Sequence, residues 1–250
     1  MTSPDNRWFS RAIANRFWAQ FFGRGLVEPI DDMRDTSPAG NEPLLTALAR
    51  YTAEQKFDLK QVIRAITNSQ VYQLSSTPNP SNEKDDQNFS HAALKSISAE
   101  LLLDAICQAT GRPEGFPLLP VGTRAIQAWD NRMPHYFLQV FGRPLRTTVC
   151  ECERINEPSV AQVLHLMNSP EIQAKISHPR GRVRQIIKAN NKSDSTVEEL
   201  YLATYSRLPN DAERSAAVAY IESAGTGQRA RAAEDLLWTL MNTTEFLFNH

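Results

Sequence analysis

Two cysteines two positions apart, Cys150 and Cys152, stand in the stretch TTVCECERINEPS, with Glu151 and Glu153 alternating with them and Arg154 closing the run. Thr147, Thr148 and Val149 favour extended backbone here, which puts alternate side chains on one face. The two thiols then share one face and the two carboxylates the other. Such a pair suits a metal, a redox couple, a disulfide or plain packing. Zinc takes about four ligands, usually with C-x2–4-C spacing, so C-x-C needs further ligands from Cys107, His135 or His165. The haem-attachment pattern C-x-x-C-H is absent. A bridge between positions i and i+2 of an extended strand is strained. Buried, inert thiols are the plainest reading, and the metal, redox and disulfide readings stay open beside it. Arg143, Arg146 and Arg154 flank the glutamates and fit a partly buried ion network better than an acid–base pair.

The remaining chemical residues are scattered. His135 lies in NRMPHYF and His165 in VLHLMN. His165 falls beside an apolar helix face, where a lone histidine is more often a hydrogen-bonded core residue than a ligand. Asp31–Asp32 and Asp85–Asp86 lack the spacing of an EF-hand and read as solvated loop acids. RGRVRQIIKANNK, residues 180–192, carries five basic residues and no acid. Arg180, Arg182 and Arg184 are therefore anion-binding candidates for phosphate or sulfate, against the plainer reading of one solvated helix face. GRG at 23–25 lacks the pattern of a phosphate loop, and neither G-x-S-x-G nor H-E-x-x-H occurs.

The elements that must position these residues are mostly helical. Phe9, Ile13, Phe17 and Phe21 recur every four residues, with Trp18 and Phe22 beside them, and Gly23 can end that helix. Pro43 opens a second helix with Leu44, Leu45, Leu48 and Tyr51 on one face. Asp58 with Gln61 predicts a capping box for a third, and a fourth runs from Ser98 to Thr110 and stops at Gly111. Residues 111–157 form an irregular, Pro-rich segment, with short strands expected around Arg124–Ala128 and Thr147–Cys152. Beyond it Val160, Val163, Leu164 and Met167 make one face of a helix. Ser195 with Glu198 and Asn210 with Glu213 predict capping boxes, and Leu236, Leu237, Leu240 and Met241 mark a final helix. The pattern of helix end, Asn, Ser or Thr, then an apolar residue comes three times, at Asn68, Asn168 and Asn242. There Ser69, Ser169 and Thr243 are expected to cap the next short turn.

The chain has 250 residues with 41% hydrophobic and 22% charged, ordinary for a globular protein with a sizeable core. A net charge of −1 provides no field toward nucleic acid or an anionic membrane. Its three cysteines are too few for a disulfide scaffold. No apolar run approaches the roughly 20 residues of a membrane span, and the start, MTSPDNRWFSRAIANRFW, lacks the apolar stretch of a signal peptide. The expectation is a mainly α, multi-helix single domain over residues 1–250 of about ten helices. At most a few short strands accompany them, and a loop or sub-domain break is expected at 76–92.

Several stretches carry a resemblance: NRFWAQFFGRGLVEPIDDMR, DLKQVIRAITNSQVYQLSS, AELLLDAI, FGRPLRTTVCECER with EPSVAQVLHLMN, and ELYLATYSRLPNDAE with DLLWTLMNTTEFLFNH. In this order, over nearly the whole chain, they resemble the uncharacterised PSD-type domain DUF1553. That domain is found at the C-terminus of large planctomycete proteins that often begin with a cytochrome-c-like module. The family brings no established activity. The resemblance implies a secreted, periplasmic or cell-envelope setting, a link to degradation of complex polysaccharides, and haem only in a separate module. It also implies that this chain is the C-terminal part of a longer protein; a complete chain would be cytoplasmic. Gln20 and Glu42 stand where family members often have histidine, which argues against an obligatory metal there. HAALKSISAE stands where many carry paired arginines. The resulting expectation is a non-catalytic accessory module, with companion domains or complex polysaccharide as partners and no cofactor within the chain. Two alternatives accompany it. One is a catalytic, redox or metal site built from Cys150, Cys152, Glu151, Glu153, Arg143, Arg154, His135 and His165. The other is sulfated-glycan binding through residues 180–192.

Overall fold

The computed structural model describes residues 3, 6–117, 119–129, 133–144, 159–189 and 192–249. Among them the chain is mainly α, with twelve α-helices, one 3-10 turn and two strands of two residues each, Lys95–Ser96 and Phe248–Asn249. It separates into two compact units, residues 1–95 and 96–249, each with its own apolar core.

In the first unit, α1 (Arg7–Phe22) is capped by Asn6, whose side chain accepts from the Phe9 N–H, and ends at Gly23 with φ 75°. Of the expected stripe Trp18 and Phe22 are buried, while the Phe9, Ile13, Phe17 and Phe21 row beside them is half-buried. The core side carries Ala14, Trp18 and Phe22, with Asn15 beside them. The reason is Asn15. Fully buried, it donates from Nδ2 to the carbonyls of Val27 (2.9 Å) and Ile30 (2.8 Å) and accepts from the Val27 N–H (3.0 Å). This folds the GRGLV loop back onto that side of the helix. α2 (Glu42–Glu54) starts at Asn41 and Pro43 and buries Leu45, Leu48, Ala49 and Thr52. α3 (Leu59–Thr67) buries Val62 and Ile66. Asp58 caps it by accepting from Lys60 rather than through the expected exchange with Gln61.

The second unit centres on α4 (Ala99–Thr110), which ends at Gly111 with φ 65° and buries Ala99, Leu102, Leu103, Ile106 and Ala109. The strand expected at Arg124–Ala128 is instead a 3-10 turn, Ala125–Gln127. Asp104 of α4 causes this, because its carboxylate accepts from the N–H groups of Ala125 (2.7 Å) and Ile126 (3.3 Å) and caps the turn. The strand expected at Thr147–Cys152 lies outside the described residues. There follow α5 (Tyr136–Val140), α6 (Val160–Asn168), α7 (Pro170–Ile176), α8 (Arg182–Ala189), α9 (Ser193–Tyr205), α10 (Asp211–Ser223), α11 (Gly225–Met241) and α12 (Thr244–Leu247). α9 begins two residues before the expected cap, so Ser195 and Glu198 lie inside the helix. The Asn210–Glu213 capping box is present. So are the three expected Ser/Thr caps: Ser69 accepts from Tyr72, Ser169 from Ile172 and Thr243 from Phe246. The expected α6 row forms one face, and that face lies outward. Val160, Val163, Leu164 and Met167 are exposed, and only Leu166 is buried.

Candidate functional site

The chemically distinctive part of the second unit lies where α4, α5, α6 and α7 meet the Pro-rich segment. α4 contributes two acids one turn apart, Glu100 and Asp104. Glu100 shares the row of Leu103 and Cys107 and is 6% exposed in its side chain; it pairs with the equally buried Arg143 at 3.6 Å. Arg143 also donates to the Ala128 carbonyl. Asp104 caps the 3-10 turn and faces Arg124 at 3.3 Å. The two acids therefore hold the irregular chain on both sides of Trp129. A buried pair of this kind fixes geometry more than it stabilises, since desolvation offsets much of the attraction.

Beside it is an open cleft of about 480 Å³, walled by Pro117, Pro134 and Tyr136 and edged by Glu114, His135, Glu171 and Lys175. Lys175 reaches Glu114 at 3.2 Å and donates to the carbonyls of Arg112 (3.3 Å) and Pro113 (3.4 Å). Burial alone would raise the Glu114 carboxyl. The His135 contact and the Lys175 ammonium outweigh it and bring it down to about 2. His135 caps α5 by accepting from the Leu138 N–H on Nδ1 (3.5 Å), and its Nε2 faces Glu114 at 4.0 Å.

His165 lies against three rings of α5, with centroids 5.2 Å from Tyr136, 5.6 Å from Phe137 and 6.2 Å from Phe141. Its Nε2 is buried without a hydrogen-bond partner among the described residues. Burial pushes its titration below the ordinary histidine range; nearby Glu171 opposes this and His135 adds to it. It is an aromatic-packed residue that ties α6 to α5.

Other anticipated residues fall elsewhere. Arg182 donates to the carbonyls of Ala109 (2.9 Å) and Gln108 (2.7 Å), closing the end of α4. Arg184 pairs with Glu234 at 2.8 Å, on the edge of a second, polar cleft of about 470 Å³. Arg180 is exposed. Cys150, Cys152, Glu151, Glu153 and Arg154 lie outside the described residues. Burial raises the Cys107 thiol, and Lys175 opposes it only in part. Among the described residues no three His, Cys, Asp or Glu side chains gather as a metal site would require. Sequence reasoning passed over Glu114, Glu171 and Lys175. The one available signal was that Glu114 is the lone acid of GRPEGFPLLPVG. Arg207, in YSRLPNDAE, clasps both Glu213 (2.8 Å) and Glu245 (2.7 Å) and so joins the start of α10 to α12.

Together these features define a helical domain whose ionisable side chains, where described, mostly serve as caps and pairs. The chain belongs to the family PSD1, protein of unknown function (DUF1553), whose profile matches residues 1–221. No curated protein and no solved structure matches it.

Proposed function

We propose that this chain is a non-catalytic interaction module that docks on a companion domain or protein through the outer face of α6. The carrying observation is the placement of Val160, Val163, Leu164 and Met167. They form one continuous helical row, and they are 76, 53, 54 and 43% exposed. Such a row on a folded surface marks an interaction site. Trp129 and Tyr136, 79 and 64% exposed, add aromatic area of the kind enriched at interfaces. The engagement of His135, Arg143, Glu114 and Lys175 also favours a scaffold over acid–base chemistry. The envelope setting, the companion domains and the connection to complex polysaccharide belong to the proposal through the family resemblance.

The test is a photo-reactive residue at position 164 of the protein in its native host, followed by mass spectrometry of the cross-linked peptide. The expected result is one recurrent partner segment at position 164 and none at the exposed control position Glu222. Equal, diffuse cross-linking at both positions would refute the reading.

A further inference from the structure

Resting on that interaction reading, we propose that the cleft beside α5 receives a cationic side chain, lysine or arginine, from a partner segment whose neighbouring residues are apolar. The argument is charge and shape together. Lys175 already holds Glu114 and two carbonyls, and its side chain is only 14% exposed. That acid and that base cancel. Glu171, at the start of α7, is exposed and has no ion-pair partner among the described residues. Among the described lining residues two carboxylates, Glu114 and Glu171, therefore face one ammonium, Lys175, and Glu171 is the acid left over.

Its walls complete the selection. The ring of Tyr136 stands in solvent beside Pro117 and Pro134. A long basic side chain lays its alkyl stem on such surface and keeps its charge at the polar edge. A cation over a tyrosine face gains further attraction. An anion would meet Glu171 and, among the described lining residues, only Lys175, which Glu114 already holds. The apolar neighbours of the incoming cation are then placed to cover α6, because His165 of that helix lies against Tyr136 at 5.2 Å.

Peptide display against the whole immobilised protein tests this. The expected outcome is enrichment of sequences with a lysine or arginine flanked by apolar residues. Affinity of an enriched peptide should fall about tenfold with Glu171→Gln, and by a similar factor when norleucine replaces its cation. Circular dichroism and melting of Glu171→Gln should match the parent protein. Peptides that lose binding with Leu164→Glu, yet ignore Glu171→Gln and the norleucine change, would overturn the cationic cleft and leave the α6 interface standing. Peptides sensitive to Glu171→Gln and indifferent to Leu164→Glu would uphold the cleft and overturn α6 as the interface. Acidic peptides, or no enrichment, would overturn both.

Discussion

Single residues decide the shape of the first unit, and two of them give sharp expectations. Asn15 satisfies three backbone groups of the loop that follows α1. Asn15→Ala leaves the buried N–H and carbonyl of Val27 without partners, at about 1–3 kcal/mol each, and frees the more exposed Ile30 carbonyl. The expected loss is at least ~2 kcal/mol of unfolding free energy, read from a urea titration. Gly25 shows why the fit is close: a Cβ there would lie 2.5 Å from the Val27 carbonyl oxygen and 2.9 Å from Asn15 Nδ2. Lys56 points the other way. It and Phe57 are consecutive left-handed residues, with φ 51° and 61°, in the turn between α2 and α3. Left-handed backbone disfavours a residue with a Cβ by roughly 1–2 kcal/mol. Lys56→Gly is therefore expected to stabilise the protein by about 1 kcal/mol. Phe57 has no such freedom, because its ring packs on Phe9 at 5.2 Å.

At the scale of elements, the α5–α6 contact should respond to pH. His165 is held neutral by its aromatic surroundings, and its titration lies below the ordinary 6.5. The unfolded chain therefore binds this proton first as pH falls, so stability rises with pH between the folded value and 6.5 and is flat above it. Urea midpoints at pH 7.5 and 5.5 should differ by less in His165→Phe than in the parent protein; an unchanged difference would remove His165 as the cause. The same region shows what the sequence revealed. Caps were legible in part: Asn210–Glu213 and the Ser69, Ser169 and Thr243 turns are set by atoms within four residues of one another, whereas the boxes expected at Asp58–Gln61 and Ser195–Glu198 did not form. The helical rows of α1 and α6 were legible as rows. Which row faces inward was not, because that depends on a distant partner: Asn15 meeting Val27, or Tyr136, Phe137 and Phe141 meeting His165. The Ala125–Gln127 turn was misread as a strand for the same reason, since its cap, Asp104, comes from α4. The CECER stretch drew attention through composition. The cleft edged by Glu114, Glu171 and Lys175 did not, because its members are ordinary surface residues until the fold assembles them.

For the whole molecule, the decisive fact is that the two apolar cores share none of the described residues. Trp18, Phe22, Leu45 and Ile66 belong to one, and Leu103, Ile106, Phe137 and Leu237 to the other. A domain with its own core can melt as its own cooperative unit. The tryptophans allow this to be observed separately. Trp18 is buried in the first core, and Trp238 packs against the second. In a background where Trp8 and Trp129 are phenylalanine, Trp238→Phe leaves fluorescence that reports residues 1–95, and Trp18→Phe leaves fluorescence that reports residues 96–249. Adding Asn15→Ala should lower the midpoint seen through Trp18 and leave the midpoint seen through Trp238 within error. If both midpoints move together, the two cores unfold as one, and the interaction surface on α6 would depend on the first unit for its stability. If only the first moves, residues 96–249 carry the α6 face and the cationic cleft on a core of their own.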